Sequence, residues 1–284
     1  EGSFYTYAYQ WGGKAAGICA VGLYLIGLLI AMGLLTNIAS AYLCAFLPIG
    51  IASYLSKTVL AFGLLAILVG LNIAGAHLSE FGQKVLIICT VFPIITTTIL
   101  CFTQASTSNI AVPEYIAFND ILHAAQSVIF GFFGFESAAS LYRIVKRPER
   151  NVPRALTYSI FLVGILYLAF IASIIFATPP EVFSQQHVLL SDILKAVFPH
   201  QNILVNLVHI AVLSAIIGTL HAMIWSASVL LQTTATKITQ QLSFSPTIYN
   251  VFVGSAIATT YATISDLDTY FSLTVISIVS AYTL

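Results

Sequence analysis

Eight runs of apolar residues divide this chain, each about as long as a helix that crosses a bilayer. The hydrocarbon core is ~30 Å thick and takes ~20 residues at helical rise. The runs are 15–47, 57–76, 84–103, 121–142, 154–178, 203–235, 246–265 and 268–284. Inside lipid every backbone N–H and C=O must find its partner within the protein, and a lone segment achieves that only as a helix. The predicted fold class is an all-α integral membrane protein with about eight transmembrane helices. The breaks carry helix-ending residues: Pro48 and Gly50, a largely polar stretch 104–113, Pro179–Pro180, and Pro246 at the start of the seventh run. The first and sixth runs are long enough to tilt or to extend past the bilayer. The link 266–268 is so short that the last two helices must form an antiparallel hairpin.

Charge sharpens this reading. Residues are 59% hydrophobic and 7% charged, against about 25% charged for soluble domains, so a soluble fold could not cover its surface. The formal net charge of zero offers nothing to a polyanion, and nucleic acid is excluded as a partner. Cys19, Cys44, Cys89 and Cys101 lie in apolar runs without CxxC spacing, so they form no disulfide or metal framework. No HExxH occurs, and the close acidic pair Asp266 and Asp268 falls in a loop. The chain therefore reads as a non-enzyme with no metal and no cofactor. The opening EGSFYTYAYQ and the apolar end at Leu284 read as the interior of a longer protein.

Basic residues set an orientation. With residue 1 in the cytoplasm and alternating crossings, Lys14, Lys84, Arg143, Lys146, Arg147, Arg150, Arg154 and Lys237 fall on the cytoplasmic side, and only Lys57 and Lys195 outside. This is the positive-inside bias. The outer loops hold Glu114, Asp120, Glu181, Asp192, Asp266 and Asp268.

The most informative stretch is GFFGFESAASLYRIVKRPERNVPR at 131–154. Gly131, Gly134 and Glu136 interrupt an apolar run, and a basic cluster follows. A carboxylate within a membrane helix costs roughly 2.5 kcal/mol or more, so it marks function by default. Glycines let the backbone leave helical geometry where a ligand approaches. Structural alternatives stand beside this. Gly131 and Gly134 could be a close helix–helix contact, Glu136 could be a hydrogen-bonded scaffold acid, and aromatics in an apolar run are usually packing residues. Phe130 and Phe133 are three apart and share a face of a near-helical segment. His209 and His221 are about 120° apart around a helix, read as separately satisfied histidines rather than a metal pair.

The ordered string Phe130, Phe132, Gly134, Glu136, Ser137, then Lys146, Pro148, Arg150, Asn151, Pro153, Arg154 and Ala155, resembles the sixth helix and following loop of the amino acid–polyamine–organocation (APC) superfamily of amino acid permeases. Two further stretches resemble that family. EGSFYTYAYQWGGKAAG at 1–17 is similar to the segment before its third helix, with Glu1 where a glycine is usual. LNIAGAHLSEFGQK at 71–84 is similar to the N-x-x-G join of its fourth and fifth helices, with Ala76 and His77 where a basic residue is frequent. The eight runs then correspond to the family's helices three to ten. The resemblance implies one transporter domain over 1–284, part of the leucine-transporter-like inverted-repeat fold. Within it, 1–103 is the remainder of the first repeat and 121–284 the second, and the family's first two helices lie outside the sequence. Because a site between two broken helices needs both, it also implies that the 284-residue chain alone does not transport.

What the resemblance implies for function follows residue by residue. The backbone of 131–134 would be unwound, offering carbonyls to a substrate ammonium. Phe130, Gly131, Phe132, Phe133 and Gly134 would bind substrate, Phe130 would also act as an outer lid, and Glu136 and Ser137 would serve gating or coupling. A lysine midway along the fifth helix, present in some relatives, has no counterpart here, where Thr90 and Pro93 hold the centre. Ser214, Gly218, Thr219 and Ser226 suit ion coordination or helix packing. The implied function is secondary transport of an amino acid or related amine, by antiport or proton-coupled symport. Its partners are the small-molecule substrate, protons and the lipid bilayer, and its place is a multi-pass position in a bacterial inner membrane. The alternative is a non-transporting remnant, sensor or partner subunit. The residues name neither the substrate nor an oligomeric state.

Overall fold

A computed structural model describes residues 3–47, 56–74, 76–106, 109, 116–132, 145–183, 190–239 and 244–284. All the regular structure among them is helical: α1 (Ser3–Phe46), α2 (Lys57–Ala74), α3 (Ala76–Thr103), α4 (Phe118–Phe132), α5 (Pro148–Ala177), α6 (Pro180–Phe183), α7 (Leu190–Val197), α8 (Asn202–Thr239), α9 (Pro246–Thr263) and α10 (Leu267–Thr283). Each of the eight expected segments is a helix, although the second half of the fourth, 133–142, falls outside the described residues. Five of the described helices are long and apolar enough to cross a membrane on their own: Ala8–Phe46 within α1, α2, Phe81–Thr103 within α3, α5, and Asn202–Ile238 within α8.

The first helix starts well before the apolar run does. It passes through the glycines of its first turns by a kink at Gly13, whose φ of 75° and ψ of −168° are open to glycine and strained for any residue with a Cβ. Two short helices, α6 and α7, occupy the stretch between α5 and α8 that the sequence left unassigned. α7 is amphipathic: Leu194 is fully buried and packs with Phe198, Leu204 and Val208. The expected final hairpin is present. Asp266 caps α10, accepting from the Thr269 N–H at 2.9 Å and its hydroxyl at 2.8 Å.

α1 is the central post, packed against α10, α8, α9 and α2, while α3 lies between α8 and α5. The main core joins Tyr24, Leu28 and Met32 of α1 to Leu65 and Leu68 of α2, Leu220 and Ile224 of α8, Ile257 of α9 and Ile278 of α10. A second core joins Cys101 of α3 and Ile174 of α5 to α7 and the start of α8. α3 and α8 run antiparallel, with Cys101 beside Leu204, Ile94 beside Ala211 and Gln83 beside His221. Outer faces stay apolar: Tyr158, Phe161, Leu162, Ile165 and Leu168 form an exposed stripe on α5, suited to lipid rather than water. All four cysteines are free.

Tight packing sits at small residues of α1. A Cβ on Gly33 would collide with the Thr260 hydroxyl and lie 3.1 Å from Tyr270 Cε1, and one on Gly27 would lie 2.5 Å from Ile278 Cγ1. These glycines bring α9 and α10 against the post, as small residues do where membrane helices meet closely. The Thr260 hydroxyl bonds the Leu29 carbonyl at 3.1 Å, and fully buried Tyr270 donates to the Thr260 carbonyl at 3.0 Å.

Candidate functional site

The expected substrate segment begins on α4, which packs on α10 and leaves Ile121, Leu122, Val128 and Ile129 exposed. Phe130, Gly131 and Phe132 lie on its last turn. The side chains of Phe130 and Phe132, and the whole of Phe133, Gly134, Glu136 and Ser137, fall outside the described residues. The structure differs from the sequence reading at Gly131, which with Phe132 continues the helix rather than opening it. Positive φ occurs among the described glycines only at Gly13, so no local strain forces the backbone open there.

Gly131 is not a tight helix contact either. A Cβ placed on it would meet nothing nearer than Tyr167 Cε2 of α5 at 3.9 Å, an ordinary van der Waals distance. Packing among the described residues therefore does not require glycine at 131, in contrast to Gly33. Gly22, Gly63, Gly70 and Gly82 are equally open.

Beyond the segment, the basic motif proves to be a helix start. Arg147 takes a left-handed conformation (φ 50°, ψ 59°) as the N-cap of α5, Pro148 opens the helix, and the Asn151 side chain reaches back to the Lys146 carbonyl at 2.5 Å. Proline suits the first helical position because its missing N–H has no partner there anyway. Asn151 turns the chain, and Lys146, Arg147, Arg150 and Arg154 are left exposed on one end of the bundle. Arg143 falls outside the described residues.

Two polar junctions cross the apolar core, and each holds one of the histidines of α8. Buried His209 places Nε2 at 2.7 Å from the Tyr42 carbonyl and Nδ1 at 3.4 Å from the Ser191 hydroxyl. A carbonyl only accepts, so Nε2 carries the hydrogen. The ring also stacks with Phe46, centroids 5.6 Å apart, and tilts against Tyr42 at 4.8 Å. The Tyr42 hydroxyl accepts from the Leu190 N–H at 3.3 Å. The last turn of α1, the start of α7 and α8 thus meet at one imidazole.

The second junction lies twelve residues further along α8, ~18 Å at helical rise. His221 Nδ1 is 3.4 Å from Gln83 Oε1 of α3. Asn72, near the end of α2, donates from Nδ2 to the carbonyls of Leu68 at 3.2 Å and His221 at 3.3 Å. Its Oδ1 is buried with no hydrogen bond. Gly218 of α8 faces the Gln83 amide, and a Cβ there would make an ordinary contact with Nε2 at 3.5 Å. The two histidines are separately bonded, as the sequence suggested, and no metal cluster occurs among the described residues. What the sequence could not show is the partners: Gln83 and Tyr42 stand 138 and 167 positions from the histidines they meet.

Two of the cavities in the bundle are lined wholly by described residues. One, of about 550 Å³, lies between α1 and α9 along Ile26, Leu29, Ile30 and Phe252. Its Ser255 and Thr259 hydroxyls donate to carbonyls of their own helix. The other, of about 140 Å³, is wholly apolar and lies between α3, α5 and α8 beside Ile94, Phe170 and Ala211.

A search among curated proteins finds no match. The amino acid permease family matches the chain from residue 1 to residue 284. A bundle of apolar helices around a post, a glycine on α4 that packing leaves free, and this match over the whole chain agree. The chain belongs to the amino acid permease family, whose members are multi-pass membrane transporters and not enzymes.

Proposed function

We propose that the protein is a secondary transporter moving an amino acid or a related amine, by antiport or proton-coupled symport, through a site at Phe130, Gly131, Phe132, Phe133 and Gly134. The observation that carries the reading is the family match across all described helices. The place of the site rests on the resemblance of the ordered string from Phe130 to Ala155 to the family's sixth helix and following loop. With Gly131 and Phe132 helical, the proposed opening of the backbone begins at Phe133. There, carbonyls free of helical bonding would meet the substrate ammonium in a medium where nothing else can.

Phe130 is proposed as the outer lid, and Glu136 with Ser137 as the inner gate. The exposed basic start of α5 is proposed to face the cytoplasm, held there by the bias of Lys and Arg. In this scheme 1–103 and 121–284 belong to two inverted repeats of one domain, in a bacterial inner membrane. A non-transporting membrane subunit is the other reading. Uptake of labelled amino acids and polyamines into liposomes carrying the purified full-length protein separates the two. Saturable uptake that Glu136→Gln diminishes supports the transporter, and uptake no greater than in empty liposomes supports the other.

A further inference from the structure

We propose that α5 carries a binding site for an anionic phospholipid. Arg147, Arg150 and Arg154 at its start hold the phosphate, and the exposed apolar stripe that continues from them holds an acyl chain. The site stands apart from the proposed substrate segment and does not rest on the transporter reading.

Charge and apolar surface share one face of the helix. At ~100° per residue, Arg150, Arg154, Tyr158, Phe161, Ile165 and Leu168 fall within about 80° of one another. Arg150 and Arg154 are exposed, and the four residues that follow are each at least 65% exposed. Of the five helices long and apolar enough to cross a membrane, α5 is the least buried, so this face meets the surroundings of the protein and not its core. Arg147, exposed at the N-cap, adds a third guanidinium at the same end. Glu149 is the one acid of α5, and it lies about 140° around the helix from the middle of the face, so no carboxylate of α5 competes there for the arginines.

The spacing along the axis is that of a lipid. Tyr158 to Leu168 is ten residues, ~15 Å at helical rise, which is half of the ~30 Å hydrocarbon core and so the depth of one leaflet. Tyr158 stands at the top of that stretch, where aromatic side chains mark the boundary with the headgroups. Arg154 lies one turn beyond it and Arg150 two turns, at the level of the phosphates.

Two features select the occupant. Guanidinium forks match the geometry of a phosphate and bind it through paired hydrogen bonds. A soluble phosphate or polyanion would use the arginines and leave the apolar stripe bare. A zwitterionic lipid brings its own ammonium toward three positive charges. An anionic phospholipid uses both parts of the face. Each basic residue near a membrane surface strengthens such binding by on the order of fivefold.

The test has three arms, each on the purified full-length protein. In nanodiscs of equal parts phosphatidylglycerol and phosphatidylcholine, the lipids retained when the protein is released are weighed by native mass spectrometry. Wild type is expected to keep phosphatidylglycerol in preference, and Arg150→Gln with Arg154→Gln to lose that preference by about fivefold for each charge removed, at an unchanged melting temperature. Retention of the two lipids in equal parts by wild type, or an undiminished preference in the double variant, overturns the proposal. In the second arm, phosphatidylglycerol with a photoactivatable group on its chain is expected to label the α5 peptide over 158–168. Labelling confined to other segments overturns it, and shows that this face is covered by another part of the protein or by a second copy. In the third arm, glycerophosphoglycerol, the same headgroup without chains, is added as competitor and should displace little of the lipid. Full displacement at matched concentration would show that the arginines bind an anion without help from the stripe, and the lipid site would be overturned.

Discussion

The carbonyl of Tyr42 accepts a 2.7 Å hydrogen bond from Nε2 of His209. This joins the last turn of α1 to α8, and through Ser191 and Leu190 it ties down α7. The Tyr42 carbonyl lies one turn before the end of α1, and the imidazole adds a second donor to it, tying the two helices together inside the apolar core. His209→Ala should destabilise the protein by about 1–3 kcal/mol, through the loss of a buried hydrogen bond and of the ring's packing on Tyr42 and Phe46. Unfolding of the purified protein in mild detergent checks this. His209→Gln, which can still donate, should lose less, and equal losses in the two variants would show that the ring packing and not the hydrogen bond is what matters.

Two glycines should respond in opposite ways to the same substitution. Gly33→Ala drives a methyl into Thr260 and Tyr270, and overpacking of this kind costs about 1–3 kcal/mol. Gly131→Ala meets nothing nearer than 3.9 Å and should leave thermal stability unchanged while reducing uptake. A Gly131→Ala protein that is fully active would remove Gly131 from the proposed site.

Asp266 gives the fold a pH dependence of defined sign. The Thr269 hydroxyl, and then the Thr269 N–H, hold its carboxyl below the ordinary carboxylate range. A depressed folded-state value means that this contribution to stability is present above the unfolded value of about 3.9 and fades as pH falls through the folded one. Asp266→Ala should lower the melting temperature at neutral pH, and the gap from wild type should close in acid. A gap that stays constant down through that range would show that the carboxylate charge has no part in the cap.

Sidedness can be tested at the start of α5, where Arg147 is exposed. In intact cells, a membrane-impermeant thiol reagent should fail to label Arg147→Cys, in a background where the four native cysteines are replaced, and should label it after the membrane is opened. Labelling without opening would invert the orientation.

Much of the fold was legible because lipid leaves a segment few choices. Apolar length marked both ends of α2 and α8 to within a few residues and the C-terminal ends of α3 and α5, whose polar first turns it missed, and Pro246 marked the start of α9. α7 was not legible, since its eight residues carry a pattern too short to separate from a loop and gain their order from burying Leu194 against α8. The start of α1 was missed because helix continues through its glycines by way of Gly13. Of the proposed site, the sequence marked Phe130–Gly134, and among the described residues Gly131 and Phe132 are still helical. The polar junctions were beyond reach, because Asn72 and His221 are 149 positions apart and meet only once α2 and α8 are packed. Residue type can mark a buried histidine as costly, but only the fold says what it touches.

The most direct test of the central claim is uptake of the twenty amino acids and common polyamines, one by one, into liposomes carrying the purified full-length protein, with and without a pH gradient. The account predicts saturable uptake of a narrow set of these, reduced by Gly131→Ala in protein that melts at the wild-type temperature. Uptake no greater than in empty liposomes for every compound, from protein shown to be folded, would contradict it.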